Sequence, residues 1–566
     1  MFADAREVSD GSLLETDLCI VGAGAAGITL AREFANTRVR VTILESGGLE
    51  LTTQSIDLNR GESVGLPYFP LATARLRYFG GTTNHWGGVC RPFHADDFER
   101  QEWIPFSGWP IRKTDVDPYY EQAASICHVA SWQVYSAQRY GCERAVLFGS
   151  PFQPRVTQRV ANSQGNFRLR FEKELQQAAN VTVFLNANVA DILTDESGNS
   201  VRSLRVVTFG PNRFSIRARM FVLAAGGIEN PRILLAARSQ REGGLGNQHD
   251  LVGRFFLEHP RFVAGQIVPA NPYLPIGLYD WHHYQKADVK SHLGLTPDVL
   301  RREAMGEVLL RFEPDFVGAF STVKSSAPVA SLRAVADPIK SGHMPEDLAH
   351  HVKVVLHDLS HWKTASLPGA PLPVPRPELV REVARSSAAA TNALIPALAG
   401  NVGALTYRKL GGNPRLNRLL VTAIMQPNPN PASRVTLSHE RDALGMPRSR
   451  LDWRLTDADR QAVYRTMEIL GITVGRTGLG RLRITFERDG TSWPDDLVGG
   501  FHTMGTTRMS DDPRSGVVDK NCRIHGISNL YVAGSSVFPT AGSGTPTLTL
   551  VTLALRLAAK LKKELQ

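Results

Sequence analysis

The sequence predicts an α/β fold on three observations. At 566 residues the chain is too long for one ordinary core, so two intimately packed domains are expected. A Gly-Ala-Gly-Ala-Ala-Gly turn at 22–27 follows a short apolar strand and opens a helix, the order of a βαβ unit. Gly-rich loops return after residue 495, so the chain is expected to come back to its first domain and complete a site there.

The elements follow from apolar periodicity and turn residues. Residues 17–21 (Asp-Leu-Cys-Ile-Val) read as a buried strand, 25–36 as a helix and 40–45 as the next strand. Tyr68 to Arg91 is rich in Gly, Thr and aromatic residues and reads as an extended loop over a ligand. Helices are expected at 117–130 and 170–179. Alternating apolar residues predict strands at 180–193, 203–209 and 214–227, lying on the face of the first domain. Val263 to Glu313 mixes strands, 330–410 is helical, basic and punctuated by Pro, and an amphipathic helix follows Asp457. A terminal helix closes the chain, and no internal repeat is present.

Composition excludes several classes of function. Hydrophobic residues at 42% and charged residues at 21% describe a globular protein. The net charge is +10, but the Lys and Arg are scattered and no helix-turn-helix, zinc-finger or RNA-binding signature occurs, so nucleic acid is not the expected partner. The five cysteines, Cys19, Cys90, Cys127, Cys142 and Cys522, are odd in number and lack CxxC spacing. Neither a disulfide framework nor a zinc site is expected, and a reducing compartment fits. The N-terminus is acidic without an apolar run, and no apolar span is long enough to cross a bilayer. The expected location is cytoplasmic.

The most specific local motif is the glycine turn. Gly22 permits the tight turn, Gly24 lets the backbone approach a pyrophosphate, and Gly27 lets helix and strand pack closely. The following helix start, Ala25 and Ala26, offers N–H groups to phosphate. Glu45, at the end of the next strand, would accept hydrogen bonds from ribose hydroxyls. These residues alone do not separate FAD from NAD.

Other stretches do so by resemblance. Residues 501–510 (FHTMGTTRMS) and 529–550 (NLYVAGSSVFPTAGSGTPTLTL) resemble the C-terminal end of the glucose–methanol–choline (GMC) oxidoreductases. Residues 222–235, 252–260 and 426–437 are similar to further family stretches, in family order. The resemblance implies FAD, a Rossmann-type FAD-binding domain formed by 10–100, 160–260 and 495–566, and a mixed-sheet substrate-binding domain formed by 101–159 and 261–494. A helical insert at about 330–415 has no counterpart. It also implies hydride transfer from an alcohol carbon to flavin N5. His502 occupies the place of the family's first active-site histidine and is the expected base, since imidazole accepts a proton near neutral pH. The second position, usually His or Asn, is Thr545 here, which can hydrogen-bond a substrate oxygen but cannot act as a base.

The loop Gly80–Gly88 lies where the family's loop runs along the flavin, with Gly81, Thr82, Asn84, His85 and Trp86 as expected contacts. The pair His85–Trp86 resembles pyranose oxidases and membrane sugar dehydrogenases, in which that histidine is bonded to the flavin; covalent and non-covalent attachment are both left open. Val189, Ala225, Gly534, Ser535, Thr545 and Pro546 are further expected cofactor contacts, while Glu258 and His259 read as structural or supporting residues. His343, His350, His351, His357 and His361 invite a metal reading, but no HExxH pattern is present, and a solvated or interface helix is expected instead, with no metal.

The expected function is therefore FAD-dependent oxidation of an alcohol, with sugars, cyclitols or other polyols favoured by the His85–Trp86 resemblance alone. The electron acceptor is oxygen or a quinone-type compound, and the oligomeric state is open. A non-redox FAD-containing lyase of the same family is the alternative, because Thr545 departs from the family pattern.

Overall fold

The computed structural model describes residues 1–131, 151–160, 162–274, 279, 281–284, 287–316, 415–490 and 492–565. The expected helical insert and its five histidines fall outside these residues, as does Cys142.

One eight-stranded sheet carries the glycine turn. Its parallel strands run in the order Val181–Leu185, Val41–Leu44, Leu13–Val21, Arg213–Leu223, Leu530–Val532. Counted along the chain this is 3-2-1-4-5, the doubly wound order whose strand ends form a nucleotide crevice. The short strand Phe2–Asp4 adds to the edge beside Val181–Leu185. The helix Ala25–Phe34 buries Ile28, Leu30, Ala31 and Phe34 on the core, and the terminal helix Pro546–Leu565 buries the Leu-rich face that begins at Leu548.

Two expectations are corrected here. Residues 180–193 form two strands, Val181–Leu185 and Asn188–Thr194, because Asn186 turns the chain at φ 60°, a conformation Asn tolerates. The strands Asn188–Thr194 and Val201–Val207 are hydrogen-bonded into the sheet through Arg213–Ile216, rather than lying separately on its face. The long strand Arg213–Leu223 makes this possible. Its first residues pair with Val201–Val207 and its last, Phe221–Leu223, pair with Leu530–Val532.

The second large sheet runs Gly480–Ile484, Arg261–Pro269, Leu416–Met425, Val308–Phe316, Ala287–Leu295, Phe152–Arg159, Val89–Cys90. Every pairing in it among the described residues is antiparallel. The amphipathic helix Asp457–Arg476 starts at a Thr456–Asp459 capping box and buries Val463, Met467, Leu470 and Val474 in this sheet's core. A three-stranded sheet of Arg434–Arg441, Pro447–Trp453 and Gly61–Gly65 mixes parallel and antiparallel pairs. Among the described residues no helix is long and apolar enough to cross a membrane, and the four described cysteines are buried free thiols.

Candidate active site

The glycine turn is built as its spacing demands. Gly22 sits at φ 105° and a Cβ there would lie 2.8 Å from the Ala224 carbonyl oxygen; a Cβ on Gly27 would lie 1.9 Å from the Gly22 carbonyl oxygen. Both are fixed by protein packing. Gly24 differs: a Cβ there would meet nothing within 4 Å, which leaves room for a pyrophosphate to approach the backbone. The helix Ala25–Phe34 begins at Gly24 with no side chain capping it, leaving its first N–H groups for an anion. Gly27→Ala is expected to weaken FAD binding by at least about tenfold through overpacking, read from the flavin-to-protein absorbance ratio after purification.

Glu45 is buried beside this turn. Its Oε2 accepts from Ala23 N–H at 2.8 Å and its Oε1 from Gly47 N–H at 3.0 Å. Burial raises its pKa, and these backbone bonds, with Arg77 nearby, oppose the rise. Asn188, just before Val189, is drawn to the same corner by Ser46 Oγ at 2.5 Å. Ala225 lies against Gly22 and gives its N–H to Asn230 at 2.8 Å. Gly534, at φ 111°, faces Ala26.

The loop before His85 closes over the turn. Gly80 N–H donates to the Ala23 carbonyl at 2.9 Å, and a Cβ on Gly81 would lie 3.1 Å from Gly24 Cα. Asn84 is buried and holds Phe79 O and Arg168 N–H, whereas Thr82 is exposed. Trp86 is pinned through Nε1 to the Gly165 carbonyl at 3.1 Å, and His85 is half-buried with its ring 6.0 Å from that of Tyr78. Arg75 enters from this loop with Nε and Nη1 buried and without hydrogen-bond partners. An uncapped helix start and an open Gly24 fit a diphosphate, so the residues present fit FAD.

A second cluster lies one residue from this cradle. Ser535, next to Gly534, donates its hydroxyl to the Thr503 carbonyl at 2.8 Å. His502 precedes Thr503. The segment is paired antiparallel with the 257–261 stretch through Leu257 with Met504 and Arg261 with Val498, which sets His259 across from His502. Their Nδ1 atoms are 2.8 Å apart and their rings nearly perpendicular at 85°. His259 Nε2 reaches the Gly542 carbonyl at 2.8 Å.

Glu258, fully buried, is the hub of this cluster. Its carboxylate accepts the backbone N–H of His502 at 2.8 and 3.0 Å, the N–H of His259 at 2.8 Å and the Tyr68 hydroxyl at 2.7 Å. Burial, then the Arg261 cation, pushes the His502 pKa down to about 3. Burial, then His502, pushes His259 down to about 4. Phe501, at φ 62° and 45% exposed, stacks on Phe69 with centroids 3.8 Å apart.

Thr545 is the second expected active-site residue. It precedes the terminal helix, with Pro546 as its first residue, but its hydroxyl donates to the Val89 carbonyl at 2.8 Å. With its one proton spent there, it can only accept from a substrate hydroxyl. Sequence reasoning also missed Tyr68, Arg75 and Arg261 as individual residues, although Tyr68 and Arg75 fall in the loop expected over a ligand, and treated Glu258 and His259 only as supporting residues.

Residues 429–554 match the family model described as GMC oxidoreductase. The chain carries a GMC oxidoreductase C-terminal domain. Over 96% of its length it is 23% identical to paromamine 6'-oxidase of Streptomyces fradiae, covering 90% of that protein. It is 22% identical to 2-methyl-1,2-propanediol dehydrogenase of Mycolicibacterium austroafricanum, covering 96% of this chain and 94% of that one. The fold matches the crystal structure of pyridoxine 4-oxidase from Mesorbium loti with a TM-score of 0.53 at 17% identity, covering 97% of this chain and 99% of the other. These likenesses make the chain an FAD-dependent oxidoreductase.

Proposed function

We propose that this FAD-dependent oxidoreductase oxidises the CH–OH group of a sugar or other polyol, with His502 as the base. The observation that carries the reading is the placement of His502 one residue beyond the Ser535–Thr503 contact, at the edge of the FAD cradle. Gly22, Gly24, Ala25, Ala26, Gly27 and Glu45 hold the adenosine diphosphate half of FAD, with Val189, Ala225, Gly534 and Ser535 around it. FAD, when bound, accepts the hydride that leaves the alcohol carbon. The Nδ1 of His502 is engaged by His259, so Nε2 is the nitrogen that takes the hydroxyl proton as the hydride departs. Glu258, through the His502 backbone, fixes where that ring stands.

The polyol preference draws support from the paromamine oxidase and the propanediol dehydrogenase among the relatives. Anaerobic mixing of the FAD-loaded enzyme with sugars, cyclitols and simple alcohols tests it. Bleaching of the flavin band by a polyol is the expected result, and a flavin that no alcohol bleaches overturns the reading. Readmitting air afterwards identifies the acceptor: prompt return of colour assigns oxygen, and persistence of the bleached state assigns a quinone-type acceptor. The same reading sets His85, next in sequence to the anchored Trp86, at the flavin's methylated edge. A yellow pellet on acid precipitation, lost in His85→Ala, is expected; a colourless pellet under yellow supernatant rules the bond out.

A further inference from the structure

The contacts around His259 fix the protons on two rings. The Gly542 carbonyl can only accept, so His259 Nε2 carries hydrogen. His259 is 5% exposed, and burial holds its pKa near 4. At neutral pH it is therefore uncharged, and its Nδ1 offers a lone pair. The 2.8 Å contact between the two Nδ1 atoms requires one hydrogen, which must come from His502. A neutral His502 with hydrogen on Nδ1 has its lone pair on Nε2, because the bond made by one ring nitrogen decides the state of the other. The Glu258 carboxylate is engaged with backbone N–H groups and Tyr68, and Arg261 is a cation near His502. His259 is thus the acceptor that organises the base.

We propose that His259 is a positioning residue that holds His502 as the Nδ1–H tautomer and so keeps the lone pair on Nε2, the atom that takes the substrate proton. This rests on the assignment of His502 as base. In the step, the substrate O–H bond breaks and an Nε2–H bond forms, while the alcohol carbon loses its hydride to FAD and is oxidised by two electrons. The Nδ1–H bond of His502 stays in place throughout, directed at His259.

The test compares His259→Leu, which removes the acceptor, with His259→Gln, whose amide can both accept from His502 and donate to Gly542. Both are used as FAD-loaded proteins. His259→Leu is expected to slow anaerobic bleaching at saturating substrate by about 100-fold, the low end of what a general base supplies, with substrate affinity changed less than about threefold. His259→Gln is expected to recover most of that rate. Equal bleaching by His259→Leu and wild type overturns the proposal, as does equal loss in both variants with FAD retained. Nitrogen-15 NMR of histidine-labelled holoenzyme gives a readout independent of turnover, with the His502 signals assigned by their loss in His502→Gln. A protonated Nδ1 and unprotonated Nε2 on His502 is the expected spectrum, and the reverse tautomer overturns the proposal. That spectrum decides the question even if His259→Leu does not fold. It does so equally if no alcohol bleaches the wild type, an outcome that would sink the assigned reaction instead.

Discussion

Replacing His502 by Gln or Ala is expected to slow anaerobic flavin bleaching by about 100- to 10,000-fold, the range that a positioned general base supplies, while FAD stays bound. The separation of effects follows from the structure. The cradle is formed by backbone at Gly22–Gly27 and by Glu45, and His502 contributes no side-chain bond to it. The ring reaches His259, and its backbone N–H reaches Glu258. Loss of the ring is therefore expected to leave the cofactor site intact and to remove the proposed proton acceptor. The pH dependence has a definite sign. With its pKa lowered to about 3, His502 is already the free base across neutral pH, so the bleaching rate is expected to stay flat from about pH 5 to 8. A histidine at its ordinary value near 6.5 would lose activity about tenfold for each pH unit below that. Stopped-flow bleaching over this range distinguishes the two. Normal bleaching by His502→Ala would assign the base elsewhere.

Glu229→Gln is expected to cost about 3–5 kcal/mol of stability, the usual penalty for removing one partner of a buried ion pair. Glu229 bonds Arg75 at 3.3 Å, Arg77 at 2.7 Å and Arg232 at 2.9 Å, and Arg232 also bonds Asp442 at 2.6 Å. Three guanidiniums thus share two carboxylates, and the loop bearing Arg75 and Arg77 is tied to the helix Gly226–Ala236 that follows Ala225. Burial alone would raise the Glu229 pKa, but Arg232, Arg77 and Arg75 hold it far below the usual carboxylate range. A depressed carboxylate pKa gives stability that is present above about pH 4.5 and lost as pH falls through the folded value. In urea titrations the wild type should lose stability on acidification below that range, and Glu229→Gln should lack this component while unfolding at lower urea at pH 7. An unchanged midpoint at pH 7 would show that the network is energetically neutral.

How far the sequence could be read depended on sequence separation. Gly22, Gly24, Gly27 and Glu45 were legible because a phosphate-binding turn needs fixed local offsets, and the reasons for Gly22 and Gly27 reappear as distances to Ala224 and Gly22 carbonyls. The turn at Asn186 was hidden inside an apolar alternation that continues through it, so two strands read as one. Thr545 stood out as a departure, but its bond to Val89, 456 residues away, has no sequence signature. The same holds for His259 and His502, 243 residues apart. A lone histidine before Pro260 looks alike whether it caps a loop or orients a base.

The sequence by itself determined the glycine turn of this protein, because glycine at φ 105° and an acid closing the second strand are constraints that neighbouring residues impose. Only the tertiary structure decided the chemistry at the other end. The paired bridges at Leu257–Met504 and Arg261–Val498 bring His259 against His502, and the Gly542 carbonyl then fixes which ring nitrogen carries the proton. Hydrogen-bond direction depends on which groups meet in space, and no residue spacing encodes that.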